Sequence, residues 1–325
     1  MNESGVHRDT ASSEILPSVD RPSGRRRSDR IVGSGGAMQE VVDQALAAAN
    51  ASLPVRVQGP EGSGRQHIAR AIHSWGARAS GPFVMVSCSA LAESLVGREI
   101  FGCAESTYAH LPEEYPGALS RAATGTLYLE SVDRLADSQR QALAKALVER
   151  RFQREGDGTS VALGARLIAS SEANTLPFGD LPQLTIRLLP LKDRREDVLP
   201  LAAHFLRLHA EEVGVAPVGF TADARESLLG EAWPGNVREL GERIRMAVRL
   251  AGNGAISAES LMLATAGEQV PSFKEAKRAF ETRYVVGLLR RCSGNISRAA
   301  RLAKKDRKDF YDVIRRTGVD PADFR

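Results

Sequence analysis

At 325 residues, 42% hydrophobic and 26% charged, the chain is long enough for two or three domains with their own cores. Cys88, Cys103 and Cys292 lie far apart with no C-x-x-C pair, which argues against a disulfide framework or a zinc site and fits a reducing cytoplasm. The net charge of +4 hides an asymmetry: Pro271 to Arg325 carries 15 Lys and Arg against 7 Asp and Glu, so the preceding 270 residues sum to −4. A basic block behind a mildly acidic body attracts polyanions and favours nucleic acid as a partner; a solvated basic face is the plainer alternative. No apolar run approaches the ~18 residues of a spanning helix, and Glu3 and Asp9 sit where a signal peptide would be apolar, so no membrane partner and no export are expected.

Residues 1–30, with Arg25-Arg26-Arg27 and few apolar positions, read as a disordered leader. From Ile31 the pattern alternates. MQEVVDQALAAA (38–49) places Val41, Val42, Ala45 and Leu46 on one helical face, and VRVQG (55–59) is a β-branched strand ending in glycine. IARAIHSWG is helical, PFVMVSCS (82–89) and TLYLES (126–131) are strands, RQALAKALVERRF (140–152) is an amphipathic helix and ARLIASS (165–171) a buried strand. Strands alternating with helices predict an α/β domain over 31–192, a parallel sheet in three layers with ligands at the carboxyl ends of the strands. After LPLKDRRED (189–197) the strands stop, and helices at 196–212, 221–230 and 235–251 predict a small helical subdomain over 193–264. TAGEQVPS (265–272) reads as a linker, and helices at 273–291, 295–303 and 306–316 as an all-α module over 273–325.

Between the VRVQG strand and the next helix lies GPEGSGRQ (59–66), spaced as the phosphate loop G-x-x-x-x-G-K-[ST] but with Arg65 at the lysine position. In such a loop the glycines let backbone N–H groups turn around phosphate oxygens at a helix N-terminus, and the cation reaches the outer phosphates. Gly59, Gly62 and Gly64 supply the turn, and Ser63, Arg65 and Gln66 complete the cradle. Arginine is charged and grips phosphate, yet its planar fork does not replace a point charge. A turn without ligand is the competing reading. Hydrolysis further needs a metal-holding acid and a group that positions or deprotonates water. Glu130, at the end of TLYLES, could hold Mg2+ through water, but Ser131 beside it is no base, and losing a general base costs about 10² to 10⁴ in rate.

Several stretches together resemble one family, the AAA+ bacterial enhancer-binding proteins that activate sigma-54 RNA polymerase. GPEGSGRQHIARAIH resembles the family's GESGTGKELVARAIH, and FVMVSCSALAESLVGREIFG its F-x-x-x-N-C-A-x-L-x-E-x-L-x-E-S-E-L-F-G. LPLKDRREDVLPLAAHFL (189–206) is similar to LPPLRERREDIPLLAEHFL, and WPGNVREL (233–240) is unchanged. The resemblance runs from about Ile31 to the C-terminus and implies ATP or ADP as a ligand, with Arg238 as the family's second nucleotide sensor. It also locates the departures. The Walker lysine corresponds to Arg65, the Walker B Asp-Glu pair to Glu130 and Ser131, and the Asn that senses the γ-phosphate to Glu172, a carboxylate facing an anion. Between FGDLPQ and TIRLLP the chain is several residues shorter than the family pattern, and Arg187 is the only nearby candidate for the arginines that reach into a neighbour's site. In the thirteen-residue span CAESTYAHLPEEY (103–115), STYAHL (106–111) stands where the family has G-A-F-T-G-A: Tyr108 keeps an aromatic, but Ala109 replaces the threonine and His110 a glycine. Contact with sigma-54 is not expected. His204 and His209 are five apart on one helix, the wrong spacing for joint metal ligation.

The C-terminal module resembles the FIS-type helix-turn-helix. Phe273, Phe280, Tyr284, Leu288 and Leu289 are read as one apolar face, a dimer surface, and Gly294-Asn295 breaks that helix. A Lys-Lys-Asp turn leads into the second helix of the motif, whose N-terminal residues meet base edges. Arg307, Lys308 and Asp309 or Asp312 are nominated there, Asp309 as a selector of cytosine N4. Ser297, Arg298, Lys304, Lys305, Arg315 and Arg316 are assigned to phosphates. A helical dimerisation domain without DNA binding is the alternative.

The expected function is a cytoplasmic regulator of transcription that binds double-stranded DNA, self-associates through its C-terminal helix and its AAA+ domain, and has lost hydrolysis and sigma-54 contact. Two alternatives stay open: an active ATPase that remodels sigma-54 RNA polymerase, and a non-catalytic partner within the ring of an intact relative.

Overall fold

The computed structural model describes residues 31–105, 107, 114–156, 160–172, 174, 177–216, 218–264 and 272–324. They divide into two compact units, one ending at Ala258 and the other beginning at Glu259.

The first unit alternates as the sequence predicts: α1 (Gly36–Asn50), β1 (Val55–Gln58), α2 (Arg65–Trp75), β2 (Phe83–Ser87), α3 (Glu93–Phe101), α4 (Gly117–Arg121), β3 (Thr126–Glu130), α5 (Asp137–Glu149), β4 (Arg151–Gln153), β5 (Ser160–Ala162), β6 (Arg166–Ser171) and β7 (Leu184–Arg187). Five strands form one parallel sheet in the order β2-β3-β6-β1-β7. Because side chains alternate along each strand, Val55, Val57, Tyr128, Ile168 and Ile186 pack against α1 and α2, while Val86, Leu127, Leu129, Leu167 and Ala169 pack into the opposite cluster with α3 and α5. The chain enters at β1, inside the sheet, and crosses to the β2 edge, so the carboxyl end of β1 opens at a point where strand order reverses.

One expectation is corrected here. RQALAKALVERRF does not stay helical to Phe152: α5 ends at Glu149, Arg150 takes a left-handed φ of 55°, and Phe152 sits on β4, buried between exposed Arg151 and Gln153. Pairing of β4 with β5 and a ring contact of Phe152 with Phe101 at 6.5 Å outweigh the helical period. The short elements α3, α4, β5 and β7 were not predicted.

After β7 two 3₁₀ turns, Leu191–Asp193 and Arg195–Asp197, lead into α6 (Val198–Val213), α7 (Ala222–Gly230) and α8 (Asn236–Ala251). The turns carry a buried ion pair. Asp197 is 0% exposed, its Oδ1 accepts the N–H groups of Ser34 and Gly35 at 2.7 and 3.0 Å, and its Oδ2 lies 3.8 Å from Arg194. Arg194 in turn donates to the Ser63 carbonyl at 2.8 Å. Burial lowers its pKa, and Asp197 and then Glu196 pull it back up.

The short helix α9 (Ala258–Leu263) follows α8, and in the second unit α10 (Phe273–Arg291) starts on a capping box, in which Ser272 and Glu275 satisfy each other's N–H groups. Asn295 caps α11 (Ile296–Leu302) by accepting from Arg298 N–H at 3.0 Å, and α12 (Arg307–Thr317) follows. Val285, Leu289, Cys292, Ala299, Ala300, Phe310 and Ile314 form the core. The expected apolar face of α10 is therefore two faces. Leu289 belongs to the core and Leu288 packs beside it, while Phe273, Phe280 and Tyr284 are exposed, because 289 lies nearly half a turn from 273, 280 and 284 on a 3.6-residue helix.

Asp197→Ala strands Arg194 without its counter-charge and is expected to cost about 3–5 kcal/mol in urea unfolding. Glu196→Ala, at an exposed neighbour, should stay within ~0.5 kcal/mol.

Candidate functional site

The loop Gly59–Gly64 joins β1 to α2 at the carboxyl edge of the sheet. Gly62 and Gly64 take φ of 72° and 105°, a region that disfavours side chains. Gly64 is the N-cap of α2 and offers no side chain to it, so the first-turn N–H groups of the helix remain for an anion. The space over Gly64 is open. On the loop's other side, its carbonyls are held one by one: Gly59 by Arg65 Nη1 at 2.9 Å, Glu61 by Asn236 Nδ2 at 2.8 Å, Gly62 by Arg238 N–H at 3.2 Å and Ser63 by Arg194. Ser63 Oγ is buried with no hydrogen-bond partner among the described residues. Gln66 is half-buried in the first turn of α2.

Three of those four donors lie beyond the sheet. Asn236, at φ 55°, opens α8, and its Oδ1 also accepts Leu191 N–H at 2.8 Å. Trp233, at φ 49°, donates its indole N–H to Leu228 at 2.9 Å and lies under the Arg243 guanidinium, 4.7 Å from the ring centroid. The WPGN turn is thus shaped to grip the loop. The Arg238 side chain pairs with Glu61 at 2.6 Å, and both are largely exposed, so the pair itself contributes little.

The charges are arranged differently from the backbone. Arg65 is 5% exposed, and its Nη2 lies 3.9 Å from Glu172 Oε1 at the end of β6. Glu130 ends β3, with Ser131 next to it at φ 57°. Asp133, which no motif pointed to, accepts the Glu172 N–H at 3.4 Å. Burial, then Asp133 and Glu130, push the nearby Cys88 thiol up to about 12. Arg187 ends β7 opposite Gln58 and lines a cavity of about 830 Å³ with Gln58, Glu172, Asn174 and Lys192. The structure therefore brings Gly59–Gln66, Glu172 and Arg238 around one loop and places Glu130 and Ser131 two strands from β1. Among the described residues no cluster of three His, Cys, Asp or Glu could hold a metal. The loop's backbone, with its left-handed glycines and the open face over Gly64, fits a phosphate, and Glu130, Asp133 and Glu172 make its surroundings acidic.

STYAHL, apart from Thr107, lies outside the described residues. Its base is tied by Cys103 and Tyr115, which exchange backbone hydrogen bonds of 2.9 and 3.0 Å, and by Ala104 N–H to the Glu155 carbonyl at 2.9 Å. Tyr115 donates to Glu99 at 2.6 Å.

In the second unit α12 buries Phe310 and Ile314 and exposes Arg307, Lys308, Asp309, Asp312, Arg315 and Arg316. Arg298, Lys304 and Lys305 are exposed beside it and Ser297 is half-buried; Arg316 is 3.8 Å from Glu281. Tyr311, one helical turn after Arg307, is exposed in the middle of that surface and was missed. Its spacing from Arg307 was the available signal. Asn236 and Arg194 were missed as well, since they act on the loop from 175 and 131 residues away along the chain.

Residues 31–178 match the family model of the sigma-54 interaction domain, and residues 192–278 that of the AAA+ ATPase lid domain. The chain is 30% identical to the transcriptional regulatory protein GlrR of Escherichia coli, over 98% of this chain and 73% of that protein. The chain belongs to the family of sigma-54-dependent transcriptional regulators. ZraR of Klebsiella oxytoca, at 32% identity over 88% of this chain and 68% of its own length, is a further similar member. Among solved structures, NtrX from Brucella abortus in complex with ADP is similar with a TM-score of 0.66 and 28% identity, covering 90% of this chain and 70% of NtrX. NtrX in complex with ATP gives 0.63 and 27%. As in other sigma-54-dependent regulators, then, the parallel sheet and the helices α6 to α8 are the two parts of an AAA+ domain.

A Cβ on Gly62 would collide with the Gly235 carbonyl as well as strain a left-handed residue. Gly62→Ala is expected to lower stability by about 1–3 kcal/mol in chemical unfolding and to do so more than Gly64→Ala, whose Cβ meets open space.

Proposed function

We propose that this chain is a cytoplasmic regulator of transcription that binds double-stranded DNA through a FIS-type helix-turn-helix and whose AAA+ domain neither hydrolyses ATP efficiently nor remodels sigma-54 RNA polymerase. The observation that carries the reading is the surface of α12: two aromatic and aliphatic anchors face the core while Arg307, Lys308, Tyr311, Asp312 and Arg315 face solvent together. A helix anchored on one side and polar and basic on the other is what major-groove reading requires. Arg307 and Lys308 then meet bases, with Asp309 or Asp312 selecting cytosine, and Arg298, Lys304, Lys305 and Arg316 meet phosphates. Phe273, Phe280 and Tyr284, the last two stacked at 6.0 Å between centroids, form the exposed stripe through which two copies associate.

Loss of hydrolysis is supported by Ser131 where a base is needed and by Glu172 where the family has Asn. The arginines that the family extends into a neighbouring site have no clear match, Arg187 being the only nearby candidate. Loss of sigma-54 contact is supported by Ala109 and His110 in STYAHL. Nucleotide remains a ligand for the loop, as the complexes of NtrX with ADP and ATP suggest for the fold.

With magnesium and ATP, phosphate release should run about 10² to 10⁴ below that of a relative carrying the Walker lysine and the Asp-Glu pair; equal turnover would sink this reading. Arg307→Ala should weaken binding to the cognate site by about 1–3 kcal/mol and leave random DNA nearly unaffected. Arg316→Ala should weaken both alike and reduce the salt slope by about 1.

A further inference from the structure

Two departures from the family pattern touch each other. Arg65, buried at the first position of α2, spends both terminal nitrogens inside the protein: Nη1 donates to the Gly59 carbonyl at 2.9 Å and Nη2 lies 3.9 Å from the Glu172 carboxylate. The fork of an arginine can do both at once, whereas a single ammonium cannot span the two with the same geometry. The carbonyl it holds opens the loop, so the side chain folds back across the loop rather than outward. A guanidinium this buried needs a negative partner, and in a phosphate loop that partner is the ligand. Here a carboxylate is built in. Glu172 directly follows β6, with its N–H donating to Asp133 at 3.4 Å and its side chain half-exposed.

We propose that the Arg65–Glu172 pair is an internal latch that stands in for the phosphate anion, holding the loop in its ligand-bound shape so that a nucleoside diphosphate or triphosphate must displace Glu172 in order to bind. The inference rests on the proposed loss of hydrolysis, since it makes the loop a structural joint instead of a catalytic one. Its consequence is local to the AAA+ domain. The carbonyls of Glu61 and Gly62 carry the grip on Asn236 and Arg238, so a loop closed without nucleotide also keeps the WPGN turn of α8 engaged. The negative surroundings act in the same sense: with Glu130, Asp133 and Glu172 at adjacent strand ends, a polyphosphate enters against repulsion.

The test is calorimetric titration of the full chain with ADP and magnesium, beside thermal melts with and without ADP, for the wild type, Glu172→Gln and Glu172→Asn. Removing the carboxylate charge is expected to raise ADP affinity at least ~10-fold, to lower the melting temperature of the nucleotide-free protein, and to let ADP restore it. Equal affinity in the wild type and both variants, including no detectable binding in any of them, overturns the latch. A lower melting temperature without an affinity gain also overturns it, because the pair then only supports the fold. Arg65→Lys, which keeps the charge but not the fork, should lower the nucleotide-free melting temperature as well. Phosphate release by the wild type reads the loss of hydrolysis separately, so turnover would refute that reading while the affinity comparison still decides the latch.

Discussion

Everything around the phosphate loop depends on one buried ion pair. Asp197 holds the chain where it enters the domain, at Ser34 and Gly35, and Arg194 holds the loop at Ser63. Two buried opposite charges are costly to bring together and still more costly to separate, so the three segments they touch have little freedom to drift. The start of the domain, the loop and the first turn of the helical lid are thereby joined at a point that no solvent reaches.

That joint explains how the shape of the loop survives while its chemistry changes. The carbonyls of the loop are gripped from the outside by Arg194, Asn236 and Arg238, residues of the lid and of the turns leading to it. The charges that would meet a nucleotide come from other places: the start of α2, the end of β3 and the end of β6. Shape and charge therefore rest largely on different residues, with Arg65, which also holds the Gly59 carbonyl, serving both. Arginine at 65 and glutamate at 172 stand beside a cradle that the lid holds from outside, with their charged ends 3.9 Å apart.

The second unit separates its tasks in a similar way. On α10 the residues at 285 and 289 face the small core, and those at 273, 280 and 284 face outward. On α12 the anchors at 310 and 314 leave most of the remaining surface to polar and basic side chains. A short helix can carry a core stripe and a recognition surface together because 3.6 residues per turn keep the two apart.

Most strands and helices were legible in the sequence by periodicity and punctuation: VRVQG, TLYLES and ARLIASS as strands, and 273–291 as a helix with the same limits in the structure. The phosphate loop was legible because glycines at that spacing between a strand and a helix let backbone N–H groups turn around an anion, and the basic terminal module because charge is additive along the chain. The errors fell where contacts are non-local. RRF looked helical until β5 paired with it, and Leu289 looked like surface until α11 and α12 packed on it. Sequence determined most of the longer elements, the cradle and the substitutions at 65, 130, 131 and 172. Only the tertiary structure decided that Arg65 meets Glu172, that Asn236 and Arg194 hold the loop, and that Tyr311 shares a surface with Arg307, since each depends on which distant segments the folded sheet and core bring within a few ångströms.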